Sequence, residues 1–458
     1  MLFRPTSVAA MWDTWLCHHG GTWHLFYLIT ERGLGEGVGL ATSPDGVHWT
    51  DRGQVLCQAP DALWLGTGDT WWAPGAGPDG AFVMNVSEWR GRDQAIHFAT
   101  SRDLVTWQRL GPEAAFPIDA RWYEATPRRW GWLFAPRSML LMMLAMATGA
   151  ARRWDSIHAV PRPGGGFWGF WTATVRGRPG FGFGQSDDGL RWEALPPPHL
   201  DWGPLAAPRD LELGAVEPVD GRWLALVGSL RYRGMLALVA DRPEGPYRLA
   251  PHNAHVLASG SLRLNTYYAR LFASPDGVLV HHHALTRRLT RRLRPVCWLS
   301  PLKRPRLDAD GTVRLAWWEG NDALLGEPLP LPPGLDLEHG AAITATLRLP
   351  EGGRAGLFLR ARRRRGVGLW IHPGGVVTIG VPDVLGREDR VFETIDRALP
   401  RQDRYALTLL VRDTLLELYL DGVLIQAYSL PLATDGRLDL DARGGAAFDD
   451  VALRPFRW

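Results

Sequence analysis

The sequence predicts an all-β protein, with a five-bladed β-propeller followed by a C-terminal β-sandwich. Three observations lead to this fold class: a hairpin pattern recurs along the chain, short apolar strands are separated by Gly- and Pro-rich turns, and the final part changes to plainly alternating strands. No long segment carries the 3.6-residue apolar period of an amphipathic helix. Strands are therefore the favoured regular structure throughout.

The recurring hairpin is clearest in ATSPDGVHWTDRG (41–53), ATSRDLVTWQRLG (99–111) and GQSDDGLRWEALP (184–196). Each copy ends a strand, turns through Ser-x-Asp and places a Trp four residues after the Asp. Asp and Gly supply turn geometry and side-chain-to-backbone hydrogen bonds, and the Trp packs on the returning strand. Weaker copies at 239–250 and 271–282 bring the total to five, which predicts radial repetition of small antiparallel sheets.

The predicted propeller spans residues 1–318, and a Pro-rich connection at 319–336 leads to a sandwich domain at 337–458. A Pro-rich change of composition is typical of a domain boundary. Segments such as AAITATLRL (341–349) and YALTLLVRD (405–413) alternate in polarity between Asp-Gly and Gly-Gly turns. A two-residue period over about 120 residues is what a β-sandwich requires.

Charge and cysteine content exclude several classes of function. The chain has 51 basic and 48 acidic residues, a net charge of +3, which gives only a weak attraction to nucleic acid. Arginine runs at 287–294 and 360–365 have no interleaved aromatic residues, so we interpret them as solvated strand ends or loops. Cys17, Cys57 and Cys297 form no CxxC motif, which argues against a disulfide framework and a zinc site.

The sequence shows no targeting or membrane-spanning segment. The first residues, MLFRP, lack a charged region followed by an apolar core, as a signal peptide would have. The longest apolar run, MLLMMLAMAT at 139–148, is too short to cross a bilayer. We therefore expect a cytoplasmic protein, monomeric or homodimeric, with no membrane or nucleic-acid partner.

Three carboxylates are candidates for chemistry because of where a propeller would put them. Asp13 lies on or next to the first inner strand, Asp155 precedes the strand GFWGFWTATV, and Glu212 precedes the strand RWLALVGSL. The inner strands of all blades surround one central funnel. Side chains far apart in the sequence can meet there, so we expect these three acids to converge.

The segments around these acids resemble glycoside hydrolase family 32, the β-fructosidase group. Asp13 precedes His24-Leu-Phe-Tyr27 much as an Asp-Pro-Asn-Gly segment precedes His-Leu-Phe-Tyr in that family. Trp154-Asp155-Ser156 is similar to the family's Arg-Asp-Pro, and Glu212-Leu-Gly-Ala215 to its Glu-Cys-Pro-Asp. The resemblance implies the propeller and sandwich fold and extends through nearly the whole chain. Two later segments also match, at 265–280 and 415–424.

The chain departs from the family pattern beside each acid. Trp12 replaces the Asn before the first Asp, Thr14-Trp15 replaces Pro-Asn, Trp154 replaces the Arg before the second Asp, and Leu213-Gly214 replaces Cys-Pro. These changes bear on the choice of sugar more than on glycosidase chemistry. Propellers of the related family 43, which act on arabinosides and xylosides, also use an Asp/Asp/Glu set.

The resemblance implies a role for each acid. Breaking a glycosidic bond passes through an oxocarbenium-like transition state, which needs an ionised carboxylate at the anomeric carbon and a protonated acid at the leaving oxygen. Asp13 would be the nucleophile, at about 5 Å from the acid in a retaining enzyme. Glu212 would be the acid/base, with its pKa raised by a partly apolar setting and nearby charges. Asp155 would hold sugar hydroxyls and stabilise developing charge.

Each assignment has a structural alternative. Asp13 is also a reasonable turn residue, and Asp155 a reasonable loop cap. Glu217 is a rival to Glu212, because an odd separation in an unbroken strand puts the two on opposite faces and only one can face the funnel. Alignment to Trp223 favours Glu212, although a bulge at Gly214 would reverse the parity.

Six residues are expected to contact substrate. The indoles at 12 and 15 would exclude water and wall the sugar, and GTGDTWWAPG (66–75) resembles the blade-two subsite of the family, with a core or turn role equally open. The three histidines at 281–283 put only two rings on one face of a strand, so we assign no metal, and we expect no cofactor. The six are Trp12, Trp15, Asp69, Thr70, Trp71 and Trp154.

The function favoured by the sequence is a retaining, exo-acting glycosidase on a small furanoside, with a β-fructofuranoside as the first candidate. Two alternatives stay open. One is a related furanosidase or glycosyltransferring enzyme that uses the same acids on an arabinose-type or modified sugar. The other is a non-catalytic propeller that binds sugar. A small carbohydrate is the expected partner in every case.

Overall fold

The computed structural model describes residues 1–30, 35–90, 93–126, 152–229, 231–252, 254–258, 266–289, 295–361, 366–381, 390–430 and 434–458. Within these ranges nearly all regular structure is β-strand, with three short 3₁₀ helices at Pro112–Ala114, Glu319–Leu324 and Pro373–Gly375. None of the helices in these ranges has the length and apolar character needed to cross a membrane. The all-β class predicted from the sequence is confirmed.

The first part of the chain forms five sheets that follow one another along the sequence, and all pairings within them are antiparallel except that of Leu200–Asp201 with Tyr247–Leu249 in the fourth. In each sheet the chain steps from an inner strand through hairpins to outer strands, which is the order of a propeller blade; in the fourth sheet a short outer strand, Leu200–Asp201, precedes the inner strand. The middle strands are buried on both faces, because each blade packs against its neighbours. The strands are β1 (Met11–His19), β2 (Thr22–Ile29), β3 (Gly37–Ser43) and β4 (Thr50–Cys57) in blade one; β5 (Trp64–Ala73), β6 (Ala81–Trp89), β7 (Gln94–Ser101) and β8 (Gln108–Arg109) in blade two; β9 (Trp154–Pro161), β10 (Phe167–Val175), β11 (Arg178–Ser186) and β12 (Glu193–Leu195) in blade three; β13 (Leu200–Asp201), β14 (Glu212–Val219), β15 (Arg222–Ser229), β16 (Gly234–Ala240), β17 (Tyr247–Leu249) and β18 (His255–Ala258) in blade four; and β19 (Thr266–Ser274), β20 (Gly277–Leu289), β21 (Pro295–Leu299), β22 (Lys303–Leu307) and β23 (Val313–Trp317) in blade five.

The five inner strands form a closed ring. Strand β1 contacts β5, β5 contacts β9, β9 contacts β14, β14 contacts β19, and β19 returns to β1. The first residues of the chain reinforce this closure, because Phe3 pairs with Leu299 of blade five and the Leu2 N–H donates to the Leu299 carbonyl at 2.7 Å. A propeller closed in this way brings distant residues to one axis.

The recurring Ser-x-Asp segments are the turns that the sequence predicts. The Ser43 hydroxyl accepts from the Asp45 N–H at 3.2 Å, and Asp45 Oδ1 accepts from the N–H groups of Val47 and His48 at 2.9 and 2.8 Å. The Trp49 indole N–H donates back to the turn backbone at 3.1 Å. Side-chain oxygens thus take the place of backbone partners in the turn. The same serine and aspartate bonds recur at Ser101 and Asp103 and at Ser186 and Asp188.

Every inner strand contains a β-bulge near its N-terminal end. A bulge adds a residue to one strand, turns its side chains and frees backbone groups from the ladder. All five inner strands have this irregularity at the same end of the ring. At that end, side-chain directions and backbone hydrogen bonding therefore depart from those of a regular sheet. The register shifts lie between Met11 and Thr14, Leu65 and Gly68, Asp155 and His158, Leu213 and Ala215, and Thr266 and Ala269.

The C-terminal part of the chain is a β-sandwich. One sheet has the order β31-β30-β29-β24-β33 and the other β28-β27-β26-β25-β32, and their inner faces share one apolar core. The first sheet continues from blade five, because Ala316 of β23 pairs with Val423 of β31. The predicted propeller and sandwich are therefore both present. The strands are β24 (Ala341–Arg348), β25 (Arg354–Ala361), β26 (Gly366–Ile371), β27 (Val377–Val381), β28 (Arg390–Ile395), β29 (Arg404–Arg412), β30 (Leu415–Leu420), β31 (Val423–Ser429), β32 (Thr434–Arg443) and β33 (Ala447–Pro455).

A buried polar group, which we call the junction cluster, joins the two parts and consists of His282, Lys303, Glu417 and Tyr419. The Lys303 ammonium donates to Glu417 Oε1 at 2.8 Å, and the Tyr419 hydroxyl donates to Glu417 Oε2 at 2.6 Å. His282 Nε2 lies 2.7 Å from Lys303 Nζ and 3.1 Å from Glu417 Oε1. Burial alone would raise the pKa of Glu417, but the Lys303 charge and these hydrogen bonds outweigh it and lower the pKa to about 2.

Candidate active site

Asp13 lies in the bulge of β1 and is held by the neighbouring blade. Its Oδ2 accepts a hydrogen bond from Thr67 Oγ1, in the bulge of β5, at 2.7 Å. Burial and the negative charge of Glu212 raise the pKa of Asp13 to about 7, with a further contribution from Asp155. The Thr67 hydrogen bond and the Arg270 charge oppose this rise. The carboxylates of three blades therefore act on one another across the ring.

Arg153, just before β9, links the other two acids. Its Nη2 donates to Asp155 Oδ2 at 2.5 Å and to Glu212 Oε1 at 3.1 Å. The Ser87 hydroxyl of blade two donates to the second oxygen of Asp155. Burial has the largest effect on Glu212 and leaves its pKa raised, although the charge of Arg153 lowers it; the charge of Asp155 adds a smaller rise. The structure thus brings Asp13, Asp155 and Glu212 to one site, as the sequence predicts.

Gly66 shows how closely the bulges pack around this site. A Cβ on Gly66 would lie 2.6 Å from Ser87 Oγ and 3.2 Å from Asp155 Oδ1. The space that a side chain would occupy is therefore filled by the donor and acceptor of the Ser87–Asp155 hydrogen bond. Only a glycine lets the bulge of blade two approach this carboxylate.

Gly214, two residues after Glu212, likewise allows close packing, here of the β14 bulge against blade five. This packing gives a testable prediction. A Cβ there would lie 2.3 Å from the backbone oxygen of Ala269 in blade five. Gly214→Ala should therefore push the β14 bulge away and cost about 1–3 kcal/mol in the free energy of unfolding. The displaced Glu212 should lower kcat about 100-fold. Urea unfolding and steady-state kinetics measure both effects.

Gly334 provides the control for that substitution, since nothing lies within 4 Å of a Cβ at this position. Gly334→Ala should leave stability and activity close to wild type. Equal stability and kcat in Gly214→Ala and Gly334→Ala would contradict the proposed fit of β14 against blade five.

A second layer of charged residues, which we call the charge belt, lies deeper along the inner strands. It consists of Asp69 on β5, His158 on β9, Glu217 on β14 and Arg270 on β19. His158 Nδ1 lies 2.8 Å from Asp69 Oδ2, and its Nε2 lies 2.9 Å from Glu217 Oε1. Arg270 Nη2 lies 3.9 Å from Asp69 Oδ2. All four are nine-tenths or more buried, so each charge is compensated by a neighbour rather than by water.

The bulge at Gly214 determines which way the side chains of Glu212 and Glu217 point. Because the bulge changes the parity of β14, both carboxylates face blade three, where Glu212 meets Arg153 and Glu217 meets His158. The opposite-face expectation applied to an unbroken strand, and the bulge at Gly214, the alternative considered from the sequence, is present. Glu217 is 4% exposed and paired with His158, which leaves Glu212 as the carboxylate that shares the site with Asp13.

His158 makes the stability of the protein depend on pH. Burial lowers its pKa, but the charges of Asp69 and Glu217 outweigh this effect and raise it from 6.5 to about 9. A raised histidine pKa stabilises the fold fully below the unfolded value, and the contribution is lost as the pH rises through the folded value. The free energy of unfolding should therefore fall by roughly 3 kcal/mol between about pH 6.5 and 9. Urea titrations across this interval measure the slope, and His158→Gln, which has no such proton, should lack it. The same slope in both proteins would show that His158 is not the group responsible.

Three of the expected sugar-contacting indoles lie in the core instead. Trp15 is 1% exposed, stacks near Phe26 and donates to Thr70 Oγ1 at 3.0 Å. Trp71 and Trp154 are 7% and 0% exposed and donate to backbone carbonyls. The structure leaves these three indoles almost no free surface with which to contact a sugar. Trp12, which is half-buried and packs near His283, retains an exposed face.

Asp69 and Thr70 are also occupied within the protein. The carboxylate of Asp69 belongs to the charge belt, and His158 and Arg270 lower its pKa against the effect of burial. Thr70 is 7% exposed and accepts the Trp15 hydrogen bond. The core role that the sequence left open for these two residues is the one observed.

Several functional side chains were not found by sequence reasoning. Arg153 stands one position before the place where the resemblance expects an arginine, yet its guanidinium reaches both acids. Thr67 and Ser87 carry no signal in a single sequence, because hydroxyls are common in strands. Arg270 and His158 do carry one, since each is a charged or titratable residue with apolar neighbours on both sides in its strand.

The three consecutive histidines of β20 are fully buried. His281 Nδ1 lies 3.2 Å from Thr14 Oγ1, His282 belongs to the junction cluster, and His283 packs near Trp12. Among the described residues no group of three or more histidine, cysteine, aspartate or glutamate side chains is arranged to hold a metal ion.

The site can therefore carry out proton transfer and nucleophilic attack with carboxylates. Burial is the largest cause of the raised pKa values of Asp13 and Glu212, and this penalty on the charged forms favours retention of a proton by the two acids. Asp155 is fixed between Ser87 and Arg153. An ionised carboxylate beside a protonated one is the arrangement required to break an acetal.

The solved structures most informative for comparison are carbohydrate-active enzymes. The chain is similar to the glycoside hydrolase family 32 β-fructofuranosidase BmSUC1 of Bombyx mori, with a TM-score of 0.71, 13% identity and coverage of 99% of this chain and 92% of that chain. It is similar to sucrose-6-phosphate hydrolase from Lactobacillus gasseri, with a TM-score of 0.71, 14% identity and coverage of 98% and 91%. For exo-inulinase from Aspergillus awamori the TM-score is 0.69, with 13% identity and coverage of 99% and 97%.

At these identities the likeness concerns the fold. No protein-family model and no curated protein sequence matches the chain. The propeller-plus-sandwich architecture expected from the family resemblance is present over almost the full length of the chain.

Proposed function

We propose that this protein is a glycoside hydrolase that cleaves a small furanoside, with a β-fructofuranoside as the first candidate. The observation that carries the proposal is the meeting of Asp13, Asp155 and Glu212, from three blades, with the pKa values of Asp13 and Glu212 raised by burial and by neighbouring carboxylate charges. The shared fold with enzymes named for action on fructofuranosides and inulin supports the same conclusion.

In the proposed reaction Asp13 attacks the anomeric carbon while Glu212 gives its proton to the leaving oxygen. The bond from the anomeric carbon to the leaving oxygen breaks, and an ester to Asp13 forms. Glu212, now ionised, takes a proton from water, whose oxygen attacks the anomeric carbon and releases Asp13. The sugar leaves with its original anomeric configuration.

Asp155 and Arg153 support this chemistry in different ways. Asp155, fixed by Ser87 and Arg153, offers a carboxylate to the sugar hydroxyls. Arg153 donates to both Asp155 and Glu212 and so holds them at a fixed distance. Its positive charge offsets the repulsion between the two carboxylates. The charges of these two acids raise the pKa of Arg153 against the effect of burial, so it stays cationic throughout the cycle.

The test is an assay of the purified chain on sucrose, short fructans and an aryl α-arabinofuranoside, with release of the free sugar as the measurement. We expect hydrolysis of a fructoside. The altered neighbours of Asp13, with Trp12 beside it and Trp15 withdrawn into the core, favour a related furanoside as the second candidate. Activity on the arabinoside with none on the fructosides would select that candidate. Sugar binding without cleavage of any of them would make the protein a binding propeller.

A further inference from the structure

Arg270 lies at the centre of the ring with its guanidinium directed to backbone carbonyls. It is 2% exposed. Its Nε donates to the Gly214 carbonyl of blade four at 2.8 Å, and its Nη1 donates to the Gly68 carbonyl of blade two. One side chain of blade five thus binds the backbone of two other blades.

The two carbonyls belong to the bulges that carry the active-site groups. Gly214 is the extra residue of the β14 bulge, two positions after Glu212. Gly68 ends the β5 bulge, one position after Thr67, which binds Asp13. Bulges take backbone groups out of the regular ladder, and a buried carbonyl needs a replacement partner. Arg270 supplies that partner behind the acid and behind the residue that holds the nucleophile.

We propose that Arg270 is the positioning residue of the active site: by binding the bulge carbonyls of blades two and four, it fixes Glu212 relative to Asp13. Because it assigns these two residues their catalytic roles, this inference depends on the proposed glycosidase function. Arg270 does not touch the sugar in this proposal. Its effect passes through the backbone and through its charge.

An arginine suits this task because its planar guanidinium offers five N–H donors in fixed directions. A lysine keeps the positive charge, but its single ammonium cannot bind both carbonyls with the same geometry. Replacing Arg270 with lysine therefore separates the positioning effect from the electrostatic effect. Replacement with methionine removes both while keeping an unbranched apolar chain.

The charge of Arg270 acts on groups from β1, β5, β14, β19 and β20, whereas the β9 groups Asp155 and His158 pair with Arg153 and with the carboxylates of the charge belt. It lowers the pKa of Asp13 on β1, Asp69 on β5 and Glu212 on β14, and it lowers the pKa of Tyr268 on β19. On β20 it faces His281, whose pKa is far below its usual value because of burial and this charge, so that histidine is neutral and contributes no charge of its own. Removal of the cation should raise the pKa values of both Asp13 and Glu212.

The experiment compares Arg270→Lys and Arg270→Met in the full chain on the glycoside that the wild type cleaves. We expect kcat to fall about 100-fold in both, because each displaces the bulges, with KM little changed. The profile of kcat/KM against pH should keep its position in Arg270→Lys and move to higher pH in Arg270→Met. A residue with only a structural role would not produce this difference between the two variants.

Arg397 offers a matched control away from the site. It is 4% exposed and donates to the carbonyls of His255, Val256 and Ile425, between blade four and the sandwich. Because both arginines bind buried carbonyls, we expect the Arg397 and the Arg270 variants to lower the free energy of unfolding alike. The kcat and the pH profile of Arg397→Lys and Arg397→Met should be those of the wild type.

Three outcomes would overturn the proposal. The first is a wild-type kcat in folded Arg270→Lys. The second is an equal loss of kcat in the Arg397 variants. The third is failure of both Arg270 variants to fold while the Arg397 variants fold, which would make Arg270 a folding determinant instead. Absence of hydrolysis by the wild type is a different result, because it rejects the proposed function before any variant is compared.

Discussion

Asp13→Asn and Glu212→Gln should each lower kcat/KM by at least about 10⁴-fold on the cleaved glycoside, with little change in the free energy of unfolding. Each substitution removes a carboxylate from the coupled pair but keeps its size. Asp13 keeps the Thr67 contact as an amide, and Glu212 keeps the Arg153 contact through its amide oxygen. Since burial and like charge strain both carboxylates, neutral amides should be tolerated by the fold.

Rescue of glycine variants by azide distinguishes the nucleophile from the acid/base. In Asp13→Gly, azide can take the place of the missing nucleophile and should give a glycosyl azide of inverted configuration. In Glu212→Gly, azide should attack the ester on Asp13 and give a glycosyl azide of retained configuration, most readily with a good leaving group. The opposite stereochemistry in the two variants would exchange the roles of Asp13 and Glu212.

An exposed carboxylate of blade four provides the control for these variants. Asp241 pairs with Arg222 at the surface, and its side chain is 72% exposed. Asp241→Asn should leave kcat/KM at the wild-type value. Wild-type turnover in both Asp13→Asn and Glu212→Gln would remove these acids from the mechanism.

Lys303→Met should lower the free energy of unfolding by about 3–5 kcal/mol, because it leaves the Glu417 carboxylate buried without its cation. Lys303 and Glu417 are 0% and 1% exposed, so water cannot replace the lost partner. Urea unfolding of the full chain measures the change. The propeller and sandwich meet at this pair, so its loss should also loosen the contact between them.

The double variant Lys303→Met/Glu417→Leu distinguishes an unpaired charge from a packing defect. Replacement of a buried ion pair by apolar residues is often close to neutral, so the double variant should recover most of the stability lost in Lys303→Met. Arg360→Met, which breaks an exposed pair with Asp439 on the sandwich, should leave the free energy of unfolding close to the wild-type value. The proposed charge pairing would be contradicted if the double variant lost as much free energy of unfolding as Lys303→Met and Glu417→Leu lose in total when made separately.

The architecture of this protein could be predicted because its signals are local. The Ser43–Asp45 turn and its two repeats are visible as short motifs, and their hydrogen bonds form within the motif itself. Strand alternation likewise depends only on neighbouring residues. The convergence of Asp13, Asp155 and Glu212 is not local, and it was predicted through the family resemblance and the geometry of a closed ring.

The side-chain directions in the site could not be predicted, because they depend on the bulges. One extra residue at Gly214 turns both Glu212 and Glu217 toward blade three; the glycine in this strand allows a bulge, but the sequence alone does not decide whether the bulge forms. The same uncertainty applies to Trp15, whose ring enters the core between blades one and two. Arg153 was missed for a related reason, since a long guanidinium reaches the site from a position shifted by one residue.

The burial of Lys303 has a practical consequence for handling this protein. It is the only lysine among 458 residues, and its ammonium is enclosed between blade five and the sandwich. Amine-reactive dyes, crosslinkers and coupling resins therefore find no side-chain target while the fold is intact. Slow acylation of Lys303 would therefore require transient opening of the contact between blade five and the sandwich. The rate of acylation would report how often that contact opens in the native protein.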